Sequence, residues 1–475
     1  MKKILFILLL ISSPLGRSGG AVAQTNVNYN DVAVIVNSND TTSIAIGNYF
    51  KTKRNIPAKN IISVDVSPIE EINDSVFKSY RKQVEDFLIN NNLIQDINYL
   101  VTTKGCPLKI LRDTADPNNC NASVESELMM IIGKRNSKIG NCGNKFNQWA
   151  GAVGNPYLNS KNNFESYDAK DYQMYLVTRL DAYTQQEVFN IIDRSGPNIL
   201  TNQDNVLFVF DGAPNWVGQP LLNDFSKISD TLIKRGWRVL FNKDSVYVTH
   251  QKNVIGYMSW GSNDGYAKHF TDNAKPYNSW ANGSIVETGV STGGRSFQPK
   301  TTYGQSLIAD WLKEGATAAK GYVYEPFTNA IADPNILFNR YTDLDTNGYP
   351  KYNLAESYFA ASGLLGWKDV VIGDPKTSIR IIPKDKYVGV NALQIADYKF
   401  QIFPNPSDGK FILEINKLQI TDCRLQITNV LGQIIHQSVI CNLQSVINLS
   451  SYPQGIYFLQ LQNEKEIITK KIIVK

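Results

Sequence analysis

Histidine is scarce in this chain. Its 475 residues include only His250, His269 and His436, and that scatter excludes the HExxH arrangement of metal-dependent hydrolases. No CxxC pair occurs, so neither a zinc site nor any other metal site is expected. No Walker loop and no GxGxxG after a strand is found, so no nucleotide cofactor is expected. Strong charge of one sign is missing as well. The chain has 48 basic and 43 acidic side chains. Lys2, Lys3 and Arg17 lie in a segment expected to be removed, which leaves 45 basic against 43 acidic. A net charge of +2 gives no electrostatic footprint for nucleic acid, and that class is set aside. Long apolar runs are absent beyond Ile4–Ile11, which falls short of the ~20 residues of a membrane span.

That apolar run has a different reading. Lys2 and Lys3 precede it and Ala21-Val22-Ala23 follows it, ending just before Gln24, so residues 1–23 read as a secretory signal peptide. The mature protein is expected to be exported, without a transmembrane span. Five cysteines in an exported chain permit disulfides. Cys120/Cys142 and Cys423/Cys441 are the plausible pairs, and Cys106, in KGCPL, is left over. A catalytic Cys106 would need a neighbouring imidazole; a small buried side chain is the plainer reading.

What the chain has in quantity is apolar and aromatic matter. Hydrophobic residues make up 43% against 19% charged, with 24 Tyr and 20 Phe, the composition of a packed globular protein. Its length predicts two or three domains. From Asp31 strand and helix patterns alternate: DVAVIVN, a helix after Asn39 and Asp40, NIISVDV, a helix capped by Asp74 or Ser75, INYLVTTKG, MYLVTRLDA, and the helix TQQEVFNIIDRS. The alternation resumes at NVLFVFDG and runs through WRVLFN to ATAAKGYVYEP and the late helix LAESYFAASGLLG. Such alternation demands a mainly parallel sheet with right-handed crossovers. Two α/β lobes are expected, 29–197 and 198–383, followed by a linker over 384–399. From 400 to 475 short segments with period two and frequent turns predict a small antiparallel β-sandwich.

The stretch from Asn253 to Phe297 is where a site is expected. VIGYM and SIVETGV are unalternating apolar runs that end in SWGSNDG and STGGRSF. Parallel strands buried on both faces read this way, and open α/β sheets place their sites beyond the carboxyl ends of such strands. Trp260, Asp264, Ser291, Arg295 and Glu325 are the expected lining. Asp264 with Glu325 could work as an acid–base pair. Ser291, beside Thr292, could be a nucleophile if a base stood near, although turn hydroxyls usually satisfy backbone groups. Arg295 after two glycines could hold an anionic group or form a structural ion pair. Glu287, a carboxylate inside an apolar strand, must be paired or protonated if buried, with Arg295 or Lys320 as possible partners. Asp211, Arg179 and Asp181 could line the same face. Asp374, in GDP, reads as a turn residue.

Three resemblances follow from these residues. FPNP (403–406), NVLGQ (429–433), LSSYPQGIYFLQL (449–461) and the ending KKIIVK resemble, in order, the C-terminal sorting domain of the type IX secretion system of Bacteroidetes. The resemblance implies general secretory export followed by passage across the outer membrane, with the type IX machinery as partner and the product secreted or held at the cell surface. An ordinary fibronectin-like appendage is the bland alternative. The body, through YLVTTKGCPLKI, SVESEL, NPYL, YLVTRLDA, STGGRSF and GYVYEPF, resembles an uncharacterised exported family found with exosortase-type systems, which supplies no reaction. YMSWGSNDG, SIVETGVSTGG, ADWLKEGATAAKGYVYEP and WKDVVIGDPKTSI are similar, in order of elements, to gingipain-type cysteine peptidases, whose fold is caspase-like. In that pattern the histidine position falls near Trp260 and the cysteine position near Ser291. Indole offers no basic nitrogen, and a serine without a base stays protonated. The expectation is therefore a peptidase-like body that binds a peptide or glycan without cysteine-peptidase activity. A hydrolase built on Asp264, Glu325 or Ser291 is the alternative, and a purely structural surface component the third.

Overall fold

The computed structural model describes residues 27–112, 120–142, 151–166, 172–213, 219–299, 304–383, 400–415, 423–440, 444–462 and 467–475. The expected signal segment, the linker and Cys441 of the second proposed cysteine pair lie outside them. The chain divides into two compact units, 1–384 and 385–475.

The first unit is built on one ten-stranded sheet. Its strands in chain order are β1 (Val32–Asn37), β2 (Ile61–Val64), β3 (Tyr99–Thr103), β4 (Leu176–Leu180), β5 (Leu207–Asp211), β6 (Arg238–Asn242), β7 (Val254–Ser259), β8 (Trp280–Thr288), β9 (Ala318–Tyr322) and β10 (Asp369–Ile372). They lie side by side as β6-β5-β7-β8-β9-β10-β4-β3-β1-β2. All neighbours are parallel except the antiparallel pair of β9 and β10. Strands β1, β3, β4, β5 and β7 are buried at every residue. That burial on both faces is why their sequences run apolar without alternation. β6 and β2, at the two sheet edges, are partly exposed.

The helices that cover the sheet start where short polar side chains can take up free amides. Asp40 accepts from the Ser43 amide to open α1 (Thr41–Arg54). The cap of α2 (Asp74–Asn90) is Asn73, not the expected Asp74 or Ser75. Asn73 Oδ1 accepts from the Val76 amide at 3.0 Å, and the Ser75 hydroxyl donates to the same oxygen at 2.7 Å. Short α3 (Val124–Leu128) begins at Ser123, and α4 (Gln185–Arg194) opens with a reciprocal Thr184/Glu187 capping box.

The expected lobe boundary at 197/198 does not separate two sheets. The first half supplies β1 to β4 and the second β5 to β10, and β10 pairs in parallel with β4 through Ile372 and Arg179. The Gly373 amide donates to the Arg179 carbonyl at 2.9 Å. One apolar core runs from Tyr29 to Ile379 across both halves. The cause is β10, a four-residue strand that returns from the second half and is hydrogen-bonded on both sides.

The second unit has two antiparallel sheets. Phe400–Phe403, Lys410–Ile415 and Gln444–Asn448 form one; Cys423–Asn429, Ile434–Ile440, Gly455–Gln462 and Ile467–Val474 form the other. Alternate residues, among them Phe411, Leu413, Leu425, Ile427, Leu459 and Ile472, share one core. This is the half-buried period of two that the sequence carries.

Candidate functional site

Strands β5, β7, β8 and β9 run in the same direction, so Asp211, Trp260 and Asp264, Ser291 and Arg295, and Glu325 all follow strand ends on one edge. Trp260 is 3% exposed. Its six-membered ring packs where a side chain on Gly289 would stand, with Trp260 Cε3 2.5 Å from the position of a Cβ there. The glycine therefore admits the indole rather than a ligand. The indole nitrogen of Trp260 and the hydroxyl of Thr288, at neighbouring strand ends, are buried and have no hydrogen-bond partner among the described residues.

Asp264 is also 3% exposed, and its Oδ1 accepts from the Tyr266 amide at 2.8 Å. Burial raises its carboxyl above the ordinary range. Asp211, which ends β5, accepts from Asn242 Nδ2 at 2.7 Å and from the Val248 amide at 2.8 Å. Burial pushes it up to about 7, against those two hydrogen bonds, and the charge of Asp264 adds to the rise. The carboxylate whose charge Asp211 senses is thus Asp264. Glu325 stands on an exposed turn, where its backbone carbonyl accepts from Lys368 Nζ at 2.7 Å.

The turn 291–297 is held by the chain itself. Arg295 donates to the carbonyls of Thr292 and Gln305 at 3.1 and 2.9 Å, and the Thr292 hydroxyl donates to Gln305 Oε1. Gly294 sits against Gly321, its amide donating to the Tyr322 carbonyl at 2.9 Å. A Cβ at Gly294 would stand 3.0 Å from the Tyr322 nitrogen. Beyond the turn, Glu70 accepts from the Ser296 hydroxyl and the Phe297 amide at 2.6 and 2.7 Å. Lys104 reaches both Phe297 O and Asp181. Ser291 is half-buried.

Asp181 belongs to a buried ion cluster around Arg179, which is 1% exposed. Arg179 bonds Asp181 Oδ2 at 2.8 Å and Glu125 Oε1 at 2.9 Å, and donates to the carbonyls of Cys106 and Pro107. Glu125, which nothing in the sequence singled out, also accepts from Thr102 at 2.6 Å. A second such pair, Arg112 and Glu127 at 2.6 Å, lies beside the Cys120–Cys142 disulfide. Cys106 is 2% exposed; its sulfur meets Thr103, Ser43 and the Ile35 carbonyl, and burial pushes the thiol up. His250 and His269 are exposed, and His436 lies in the second unit. Glu287 is fully buried, accepts from the Tyr322 hydroxyl at 2.8 Å, and is pushed up by burial to about 7 against the pull of Lys320. Of its two expected partners, Lys320 is the one beside it. No group of three or more His, Cys, Asp or Glu side chains is disposed to hold a metal among the described residues, and no described helix is long and apolar enough to cross a membrane.

The two units define an α/β body carrying an antiparallel sandwich tail. Residues 401–475 match the family described as the secretion system C-terminal sorting domain. The chain is accordingly a cargo of the type IX secretion system, exported to the cell surface or beyond, and its tail engages that machinery. Comparison with curated proteins returns no match. Among solved structures, an immunoglobulin-like β-sandwich protein of Bacteroides vulgatus is 15% identical, covering 17% of this chain and 86% of that one, with a TM-score of 0.15. PorZ, a surface component of the type IX system of Porphyromonas gingivalis, is 14% identical over 18% of this chain and 12% of its own, also with a TM-score of 0.15.

Proposed function

We propose that this type IX cargo, after loss of residues 1–23, is a secreted or surface-held binding protein with a peptidase-like, caspase/gingipain-type body lacking the cysteine–histidine couple. Its ligand, a peptide or glycan, sits at the carboxyl edge of β7 and β8. The observation that carries the binding reading is the pair of partnerless buried groups there, the Trp260 indole N–H and the Thr288 hydroxyl. A buried donor without an acceptor costs about 1–3 kcal/mol, which a ligand oxygen would recover. Against cysteine-peptidase turnover stands Cys106, a buried thiol with no imidazole among its contacts.

The test uses the mature chain against unmodified peptide libraries and a glycan array. Saturable binding is expected, weakened about 5- to 30-fold by Trp260→Phe, which keeps the ring and deletes the donor. Binding that is indifferent to this change would overturn the placement, and labelling of the folded chain by a thiol-directed peptidyl inhibitor would overturn the class.

One observation favours a hydrolase instead: Asp211 near 7 beside Asp264 could keep one carboxyl protonated and the other ionised, the division of labour an acid–base pair needs. Turnover of any library member that is abolished by Asp264→Asn would select this reading over the first.

A further inference from the structure

Three ionisable side chains meet in the interior where β8, β9 and β10 lie together. Lys320 on β9 is fully buried, and its Nζ lies 3.7 Å from Oδ2 of Asp369 on β10. Glu287 on β8 is fully buried. The register pairs Val286 with Ala319, so the next step sets Glu287 beside Lys320. The antiparallel register pairs Lys320 with Val371 and Tyr322 with Asp369, which makes Lys320 and Asp369 diagonal neighbours on one face. Apolar groups close the surroundings: Tyr322, Ala330 and Trp367 form a buried cluster with Phe327 and Leu364 against it, and the Lys320 ammonium lies 5.1 Å from the Tyr322 ring centre.

As a set of ionic side chains this cluster is poorly satisfied. Asp369 Oδ1 and Glu287 Oε2 are buried without a hydrogen-bond partner. Glu287 accepts from the Tyr322 hydroxyl and is also bonded by the Ala332 backbone, and the Lys320 ammonium donates to the Ala330 carbonyl. Burial raises the carboxyl groups of both Glu287 and Asp369. A buried ion pair left with orphaned oxygens can cost more than it returns.

We propose that Lys320 and Asp369 condense into an intramolecular amide, an isopeptide cross-link between β9 and β10, with Glu287 as the proton carrier. A proton passes from the Lys320 ammonium to the Asp369 carboxylate, leaving a neutral amine and a neutral acid. The Nζ lone pair adds to Asp369 Cγ while protonated Glu287 hydrogen-bonds the carboxyl oxygen. Glu287 then takes the second Nζ proton and delivers one to the departing hydroxyl. The N–C bond forms, the C–O bond breaks, and one water leaves. Glu287 ends as it began, and no oxidant, nucleotide or metal takes part. Fixed proximity makes such a condensation feasible at neutral pH, as it does for other intramolecular acyl transfers.

The test is mass spectrometry of the mature full chain, with its termini determined and its disulfide reduced. The expected mass lies about 18 Da, one water, below that of the sequence. Trypsin should fail to cut after Lys320, and the peptide containing it should stay joined to the one that begins at Asp369. A succinimide at Asp211-Gly212 would lose the same mass but leave Lys320 cleavable, which would refute the cross-link. Glu287→Gln keeps the shape and should restore the unmodified mass with Lys320 cleavable, as should Asp369→Ala. An unmodified wild-type mass, or a linkage that survives in Glu287→Gln, would overturn the proposal in whole or in the role given to Glu287. The wild-type measurement stands even if a variant fails to fold.

Discussion

Asp211 makes the stability of the body depend on pH in an unusual direction. Its two oxygens each accept one hydrogen bond, at 2.7 and 2.8 Å, yet burial outweighs both and lifts the carboxyl from 3.8 to about 7. The folded state therefore holds a proton that the unfolded state releases. Below 3.8 both states are protonated and the contribution to stability is complete. Between there and about 7 the native state binds the extra proton, so stability falls as pH rises. The slope is about 1.4 kcal/mol per pH unit for one proton, on the order of 4 kcal/mol across the window. Glu287 and Glu314, both raised by burial to about 7, act in the same direction. Urea unfolding of the mature chain at pH 5, 6, 7 and 8 measures the slope, and Asp211→Asn should reduce it by roughly one proton's share. The amide also sets an N–H against the Asn242 or Val248 donor, at a cost of about 1–3 kcal/mol that does not vary with pH. The diagnostic is therefore the slope and not the absolute stability. An identical slope in Asp211→Asn, or a wild type more stable at pH 8 than at pH 5, would refute the reasoning.

Two further perturbations have sizes set by the fold. The Cys120–Cys142 bond closes 22 residues of sequence, so reduction, or the Cys120→Ser/Cys142→Ser pair, should cost about 3 kcal/mol by loop entropy; an unchanged urea midpoint in reductant would contradict this. Arg179→Met leaves Glu125 and Asp181 buried without their main counter-charge and should destabilise by about 3–5 kcal/mol. Thermal melting should show the loss, and adding Glu125→Gln should recover part of it; no recovery would mean that Arg179 acts through packing alone.

The strands were legible where burial on both faces strips polar residues from the sequence. VAVIVN, YLVTT and LFVFD could be little else, and Thr184 with Glu187 announces the start of α4 through a reciprocal cap. β10 was harder. Between Asp369 and Gly373 only Val370, Val371 and Ile372 are apolar, too few for any period to show, and without that strand two lobes were the natural reading. The candidate site divided similarly. The sequence placed Trp260, Asp264, Ser291, Arg295 and Glu325 on one edge because strand ends are readable. Local sequence could not report that Gly289 makes room for the Trp260 ring, or that Arg295 is engaged by the carbonyls of Thr292 and Gln305. The partnership of Arg179 with Glu125 spans 54 positions, and no spacing rule reaches that far. The sorting tail was legible throughout, since its turns and alternating strands are local features.

The position of β10 also bears on how this cargo travels. Its strand completes hydrogen bonding to β9 on one side and to β4 on the other, and it is the last strand of the sheet to leave the ribosome. Until residue 372 emerges, each half of the body presents an open, sticky margin that only this late segment can seal. A chain that must cross a membrane thus has little to gain from folding early, and a truncation before Asp369 should yield two unsealed margins that aggregate rather than a smaller working protein.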